Sequence, residues 1–233
     1  MRKMVYVTAL ITLLSGCASA PVKKSGPEND VNLPKEHVEQ GYKYLQSGKL
    51  NQAVEEFDLA IKKCEPLFVE GRKIYTARTS VESLMYVVLA AGKNEAAEVL
   101  DTTCSDAYYL QGYATLDFGK IEEAETYLQK AVSMAPMNSL YLSELGHIYQ
   151  VKRDWSQALA YFTEAEDAAQ TYTPEEIKIS ELGRAKRGVG FNLIELGKLD
   201  DAERKFREAL ALDGGDKVAR NELEYIKQLR AKK

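Results

Sequence analysis

One line is written three times in this chain: GKLNQAVEEFDLAIKKC at 48–64, GKIEEAETYLQKAVSMA at 119–135 and GKLDDAERKFREALALD at 197–213. Aligned on Gly48, Gly119 and Gly197, each copy has Ala five residues on (Ala53, Ala124, Ala202) and a bulky residue nine on (Phe57, Leu128, Phe206). Each has Ala again twelve on (Ala60, Ala131, Ala209) and Gly seven before (Gly41, Gly112, Gly190). The pattern fits around Arg153, with Gly146, Ala158, Phe162 and Ala165, and more weakly around Gly92, with Met85, Ala97, Asp101 and Cys104. Small residues at these offsets let two antiparallel helices approach closely, and the apolar positions recur at helical spacing. A helix–turn–helix unit repeated along a chain stacks into a solenoid, because each unit buries its apolar face only against its neighbours.

This alternation of small and large residues resembles the tetratricopeptide repeat, a 34-residue helical hairpin. The resemblance spans residues 34–216 and implies an all-α, right-handed α-solenoid of about five repeats. The turn residues stand at 48, 92, 119, 153 and 197, so the steps are 44, 27, 34 and 44 residues. The two long steps predict extended helices over 67–91 and 174–196. The short step predicts a truncated second helix in the second unit. Residues 217–233, with Val218, Leu223, Ile226 and Leu229 along one side, read as the capping helix that a solenoid end requires.

The N-terminus reads as a targeting segment. Arg2 and Lys3 precede the apolar run Val5–Leu14, which is short for a membrane span and suits a secretory signal. LSGC, Leu14 to Cys17, resembles the lipobox of bacterial lipoproteins. That resemblance implies cleavage before Cys17, acylation of Cys17 and, with Ala18 rather than Asp following, a place on the outer membrane. Cleavage after ASA at 18–20, releasing a soluble periplasmic protein, is the alternative. Residues 18–33 are Pro-, Ser- and Asn-rich and read as a flexible tether, on the order of 55–60 Å long when taut. Without Arg2 and Lys3, the 31 basic residues become 29 against 35 acidic, a balance of -6 with no basic run. That argues against general nucleic-acid binding.

Nothing in the sequence carries a catalytic or cofactor signature, and none is expected. The two histidines, His37 and His147, are far apart in the chain. Cys64 and Cys104 form no CxxC pair, which disfavours zinc. They are read as near the ends of successive second helices and, in an oxidising compartment, either pair in a disulfide or stay as separate buried thiols. Acidic pairs such as Glu122–Glu123 fall in first helical turns, where they complement the dipole.

Function is therefore sought on the concave face. Helical geometry aims Tyr42, Tyr86, Tyr113, His147 and Phe191 inward, one per unit. A second lane holds Leu45, Leu89, Leu116, Gln150 and Ile194, and a third includes Tyr109, Ser143 and Arg187, with Arg184 beside it. This predicts a groove for an apolar peptide segment that carries an acid toward Arg184 and Arg187. Tetratricopeptide lipoproteins serve as pilotins in pilus assembly, outer-membrane assembly subunits and adaptors for peptidoglycan enzymes. The resemblance thus implies a non-enzymatic periplasmic adaptor, with a glycan- or small-molecule-binding regulatory subunit or enzyme of envelope metabolism as the alternative.

Overall fold

The computed structural model describes residues 33–232. The signal, the lipobox Cys17 and the tether lie outside the described residues. Four antiparallel helix pairs stack in order: α1 (Leu33–Gln46) with α2 (Leu50–Cys64), α4 (Thr103–Asp117) with α5 (Ile121–Met134), α6 (Ser139–Val151) with α7 (Trp155–Thr171), and α8 (Glu175–Glu195) with α9 (Leu199–Leu212). Helix α10 (Lys217–Ala231) closes the stack against α9 and α8. It buries Ala219 and Ile226 against the core around Phe206 and Ala209.

The conserved spacing within the units has a direct steric cause. In each pair the glycine of the first helix faces the bulky residue of the second. A Cβ on Gly41 would lie 2.5 Å from the Phe57 ring, on Gly112 2.8 Å from Leu128, on Gly146 2.9 Å from Phe162, and on Gly190 2.8 Å from Phe206. The three turn glycines have positive φ of 72–74°. In the unit that lacks one, Arg153 takes the same left-handed conformation at φ 59°.

The second unit departs from expectation. There is no long helix over 67–91 and no second helix at 97–104. Instead, β1 (Lys73–Thr76), α3 (Ser80–Gly92) and β2 (Ala97–Leu100) form a parallel βαβ excursion, registered Lys73↔Ala97 to Thr76↔Leu100. Gly71, at φ 77°, turns the chain after α2, and the branched and aromatic run Ile74–Tyr75–Thr76 favours extended backbone over helix. Thr79 then caps α3, accepting from the Glu82 amide at 3.1 Å. Helices α1 and α2 pack directly on α4, so the excursion stands beside the stack and not within it. The numbers agree: 71 residues separate Gly48 from Gly119, one 34-residue repeat with 37 left over, the length of 65–101.

The small sheet is covered on both faces, as parallel sheets generally are. Tyr75 and Val99 meet Tyr86 and Ala90 of α3 on one side. On the other, Thr76 donates to Ser105 of α4 at 2.7 Å, and the chain of hydrogen bonds continues from Ser105 through Tyr141 to Asp106. The excursion also reaches across the later units. The Met137 amide donates to the Tyr86 hydroxyl at 3.1 Å. Arg78 is held by Glu82 and donates to both carboxylate oxygens of Glu181 in α8, at 3.0 and 3.1 Å. Thr173 and Ser139 complete the shell around Glu181. At its base a disulfide joins Cys64, the last residue of α2, to Cys104, with Cα atoms 5.8 Å apart. Cys104 therefore lies in the first turn of α4 and not at the end of a second helix.

Candidate functional site: the concave groove

The first helices of the pairs line one continuous concave surface, which widens into two adjoining hollows. The first, about 520 Å³, runs from Tyr113 of α4 past Ser143 and His147 of α6 to Arg184, Arg187 and Phe191 of α8, with Val218 and Glu222 of α10 at its end. The second, about 640 Å³, lies between α1 and α4 and holds Tyr42, Leu45, Tyr109 and Tyr113. Tyr113 and Arg184 border both. The exposed rings are Tyr42 at 48%, Tyr113 at 37% and Phe191 at 36%. Phe191 is backed by an edge contact with Trp155, centroids 6.1 Å apart.

Four expected groove residues lie elsewhere. Tyr86 is fully buried, stacked on Tyr75 with centroids 5.1 Å apart, and Leu89 packs in the same cluster. Both belong to α3, which is no part of the solenoid lane. Leu116 is drawn under α5 and α6, among Leu128, Leu145 and Ile148. Ile194 is core as well. The uniform Leu/Ile lane is therefore absent, and only Leu45 of its members faces the groove with an aliphatic side chain. Tyr109 is the floor of the second hollow, stacked on Tyr141 at 5.0 Å. Burial first, and then the neighbouring Glu144, push its phenol up, so it stays neutral.

The cations arrive already paired. Arg184 donates to Glu144, which is 4% exposed. Burial works against the Arg184 charge, but Glu144 outweighs it and holds the guanidinium protonated. Arg187 donates to Asp216 at 2.6 Å, and Asp216 also caps α10 by accepting from the Ala219 amide at 2.9 Å. An acid on a partner would thus join existing ion pairs rather than meet free cations. Ser143 borders the first hollow, is 2% exposed, and its hydroxyl has no partner. Buried hydroxyls are ordinarily bonded, so this one is an exception within the groove wall. Glu144, Glu222 and Val218 were not among the residues that the sequence places in the groove. Their signal was weak, since Val218 and Glu222 come from the cap and Glu144 lies one residue past the predicted lane.

Among the described residues no group of three or more His, Cys, Asp or Glu could hold a metal ion. No described helix is long and apolar enough to cross a membrane.

Residues 109–173, from α4 to the turn before α8, match the tetratricopeptide-repeat family. That segment carries tetratricopeptide repeats. Among solved structures it is similar to PilF of Pseudomonas aeruginosa, with 14% identity, a TM-score of 0.61, and coverage of 88% of this chain and 72% of that one. It is also similar to MamA, from residue 41 to its end, of Desulfovibrio magneticus RS-1, with 14% identity, a TM-score of 0.57, and coverage of 86% of each chain. At this identity the likeness is one of fold, an α-solenoid. Comparison with curated proteins gives no match.

Proposed function

We propose that this protein is a lipid-anchored adaptor of the bacterial envelope, held to the outer membrane through Cys17 and non-enzymatic. Its groove binds a peptide segment of another envelope protein during assembly of an envelope complex, whether pilus or secretion machinery, outer-membrane assembly or peptidoglycan enzymes. The observation that carries the reading is the set of exposed rings, Tyr42, Tyr113 and Phe191, on three of the four first helices, around Arg184. Rings presented on rigid helices give large contact area at small entropic cost, so a few should dominate affinity. An extended or helical segment fits such a surface.

Tyr113→Ala with Phe191→Ala should weaken capture of the partner from envelope extract by about 2 kcal/mol or more, with helicity unchanged. Equal capture by the double variant would exclude the groove. Acylation is read separately: Cys17→Ser should move the protein from the membrane to the soluble periplasmic fraction.

His147 and Gln150, polar side chains between the rings, support a second reading, a glycan-binding regulatory subunit of envelope metabolism. Sugars stack on rings and hydrogen-bond between them. A glycan array with the same variants separates the two: a peptide groove leaves the array blank.

A further inference from the structure

Helix α3 is apolar on both sides. Its inner side buries Tyr86 and Ala90 against the small sheet. Its outer side presents Val81, Leu84, Val87 and Val88, each 54–63% exposed. Spaced by three, six and seven residues, these four occupy one outward face over about two turns, with no charged side chain among them. Isolated exposed aliphatics are ordinary, but a contiguous stripe of this kind marks a contact surface.

Its place in the fold indicates what covers it. The starts of the first helices and the ends of the second helices share one edge of the stack. The excursion lies along that edge, tied at the Cys64–Cys104 disulfide, at Met137 and at Glu181. The N-terminus of the described chain emerges at the same edge, since Val38 of α1 packs with Ile61 and Phe68, the residues that lead into the excursion. From Leu33 back to Cys17 is sixteen residues, a reach on the order of 55–60 Å when taut. Given acylation of Cys17, the bilayer lies within that reach of Leu33, at the edge that carries α3.

We propose that the outer face of α3 rests on the membrane that holds Cys17, its aliphatic side chains entering the headgroup and upper acyl region. This inference rests on the lipid-anchor reading above. The stripe is too small for a stable dimer, which needs about 800 Å² from each partner. It suits a surface that the tether already keeps at high local concentration, where a second weak contact adds to the lipid chains. Because Arg78 and the disulfide bind the excursion rigidly to the stack, seating α3 fixes which way the groove faces. The acyl chains on Cys17 alone do not set that direction.

The test uses the full-length, acylated protein in vesicles of phosphatidylethanolamine and phosphatidylglycerol. Cys64 and Cys104 are joined to each other, so an environment-sensitive fluorophore on Leu84→Cys labels one site. Phe118→Cys, exposed in the α4–α5 turn at the opposite edge, is the control. Brominated lipids should quench the label at 84 several-fold more strongly than that at 118. If the protein is acylated and floats with the vesicles while both labels respond equally, the membrane contact is refuted and the anchor stands. If Cys17 carries no acyl chain and the protein does not float, the anchor and this contact fall together. Shielding of position 84 that grows with protein concentration in the absence of lipid would assign the face to a second copy and overturn the proposal.

Discussion

A methyl group at Gly41 would lie 2.5 Å from one Phe57 ring carbon and 2.7 Å from the next, in a core where the ring is fully buried. The ring has no free space to move into, so Gly41→Ala should destabilise the protein by about 1–3 kcal/mol, measured by urea denaturation. The opposite sign is expected at Arg153. That residue holds φ at 59° in a turn whose equivalents are glycine, and a left-handed side-chain-bearing residue costs on the order of 1–2 kcal/mol. Glycine's extra freedom in the unfolded chain offsets part of that. Arg153→Gly should therefore raise stability by a fraction of a kcal/mol, read as a small rise in Tm. These positions were legible in the sequence because the glycine and its bulky counterpart recur at fixed offsets. Ser143 was legible as an inward residue, but the orphaned state of its hydroxyl depends on what surrounds it in three dimensions.

Each helix ends as its local chemistry directs, and α10 shows how an end can serve the site. Asp216 caps α10 and receives Arg187 from the groove wall. Burial alone would raise its carboxyl, but the Ala219 amide and the Arg187 guanidinium outweigh it and hold it below the ordinary aspartate range. A depressed folded pKa contributes stability that is fully present above the unfolded value of about 3.8 and is lost as pH falls through the folded pKa. Asp216→Ala should lower stability by about 1 kcal/mol at neutral pH. The difference from wild type should shrink below about pH 3.8. Asp216→Asn should recover the cap and lose the ion pair. A constant difference across that range, in urea denaturations at stepped pH, would refute this account of the cap. The long α8 was readable from the ten extra residues between turns. The strands were not, because four-residue segments such as Ala97–Leu100 carry too little pattern to outweigh a repeat register that the flanking units impose.

At the scale of the whole molecule, the disulfide closes the neck of an excursion that would otherwise interrupt the stack between α2 and α4. The bond spans 40 residues, and losing it should cost about 2–4 kcal/mol through the freedom restored to the unfolded chain. Cys64→Ser with Cys104→Ser should show that loss in thermal melts, and reductant should shift the wild type to the same Tm while leaving the double variant unmoved. The pairing of these two cysteines was open in the sequence. What brings them together is the packing of α1 and α2 directly on α4, a contact between segments that the sequence separates by the whole excursion.

Taken alone, the sequence determined the helical hairpin, its turns, its close glycine contacts, the cap, and the lane that carries Tyr42, Tyr113, His147 and Phe191. All of these follow from offsets within about 34 residues, where helix periodicity and steric fit are local. Only the tertiary structure decided that residues 65–101 leave the stack as a βαβ unit, that Tyr86 and Leu89 go with them, and that Arg184 and Arg187 are already ion-paired. Those outcomes depend on burial and pairing between segments far apart in the chain, such as Arg78 with Glu181. No local period encodes such contacts.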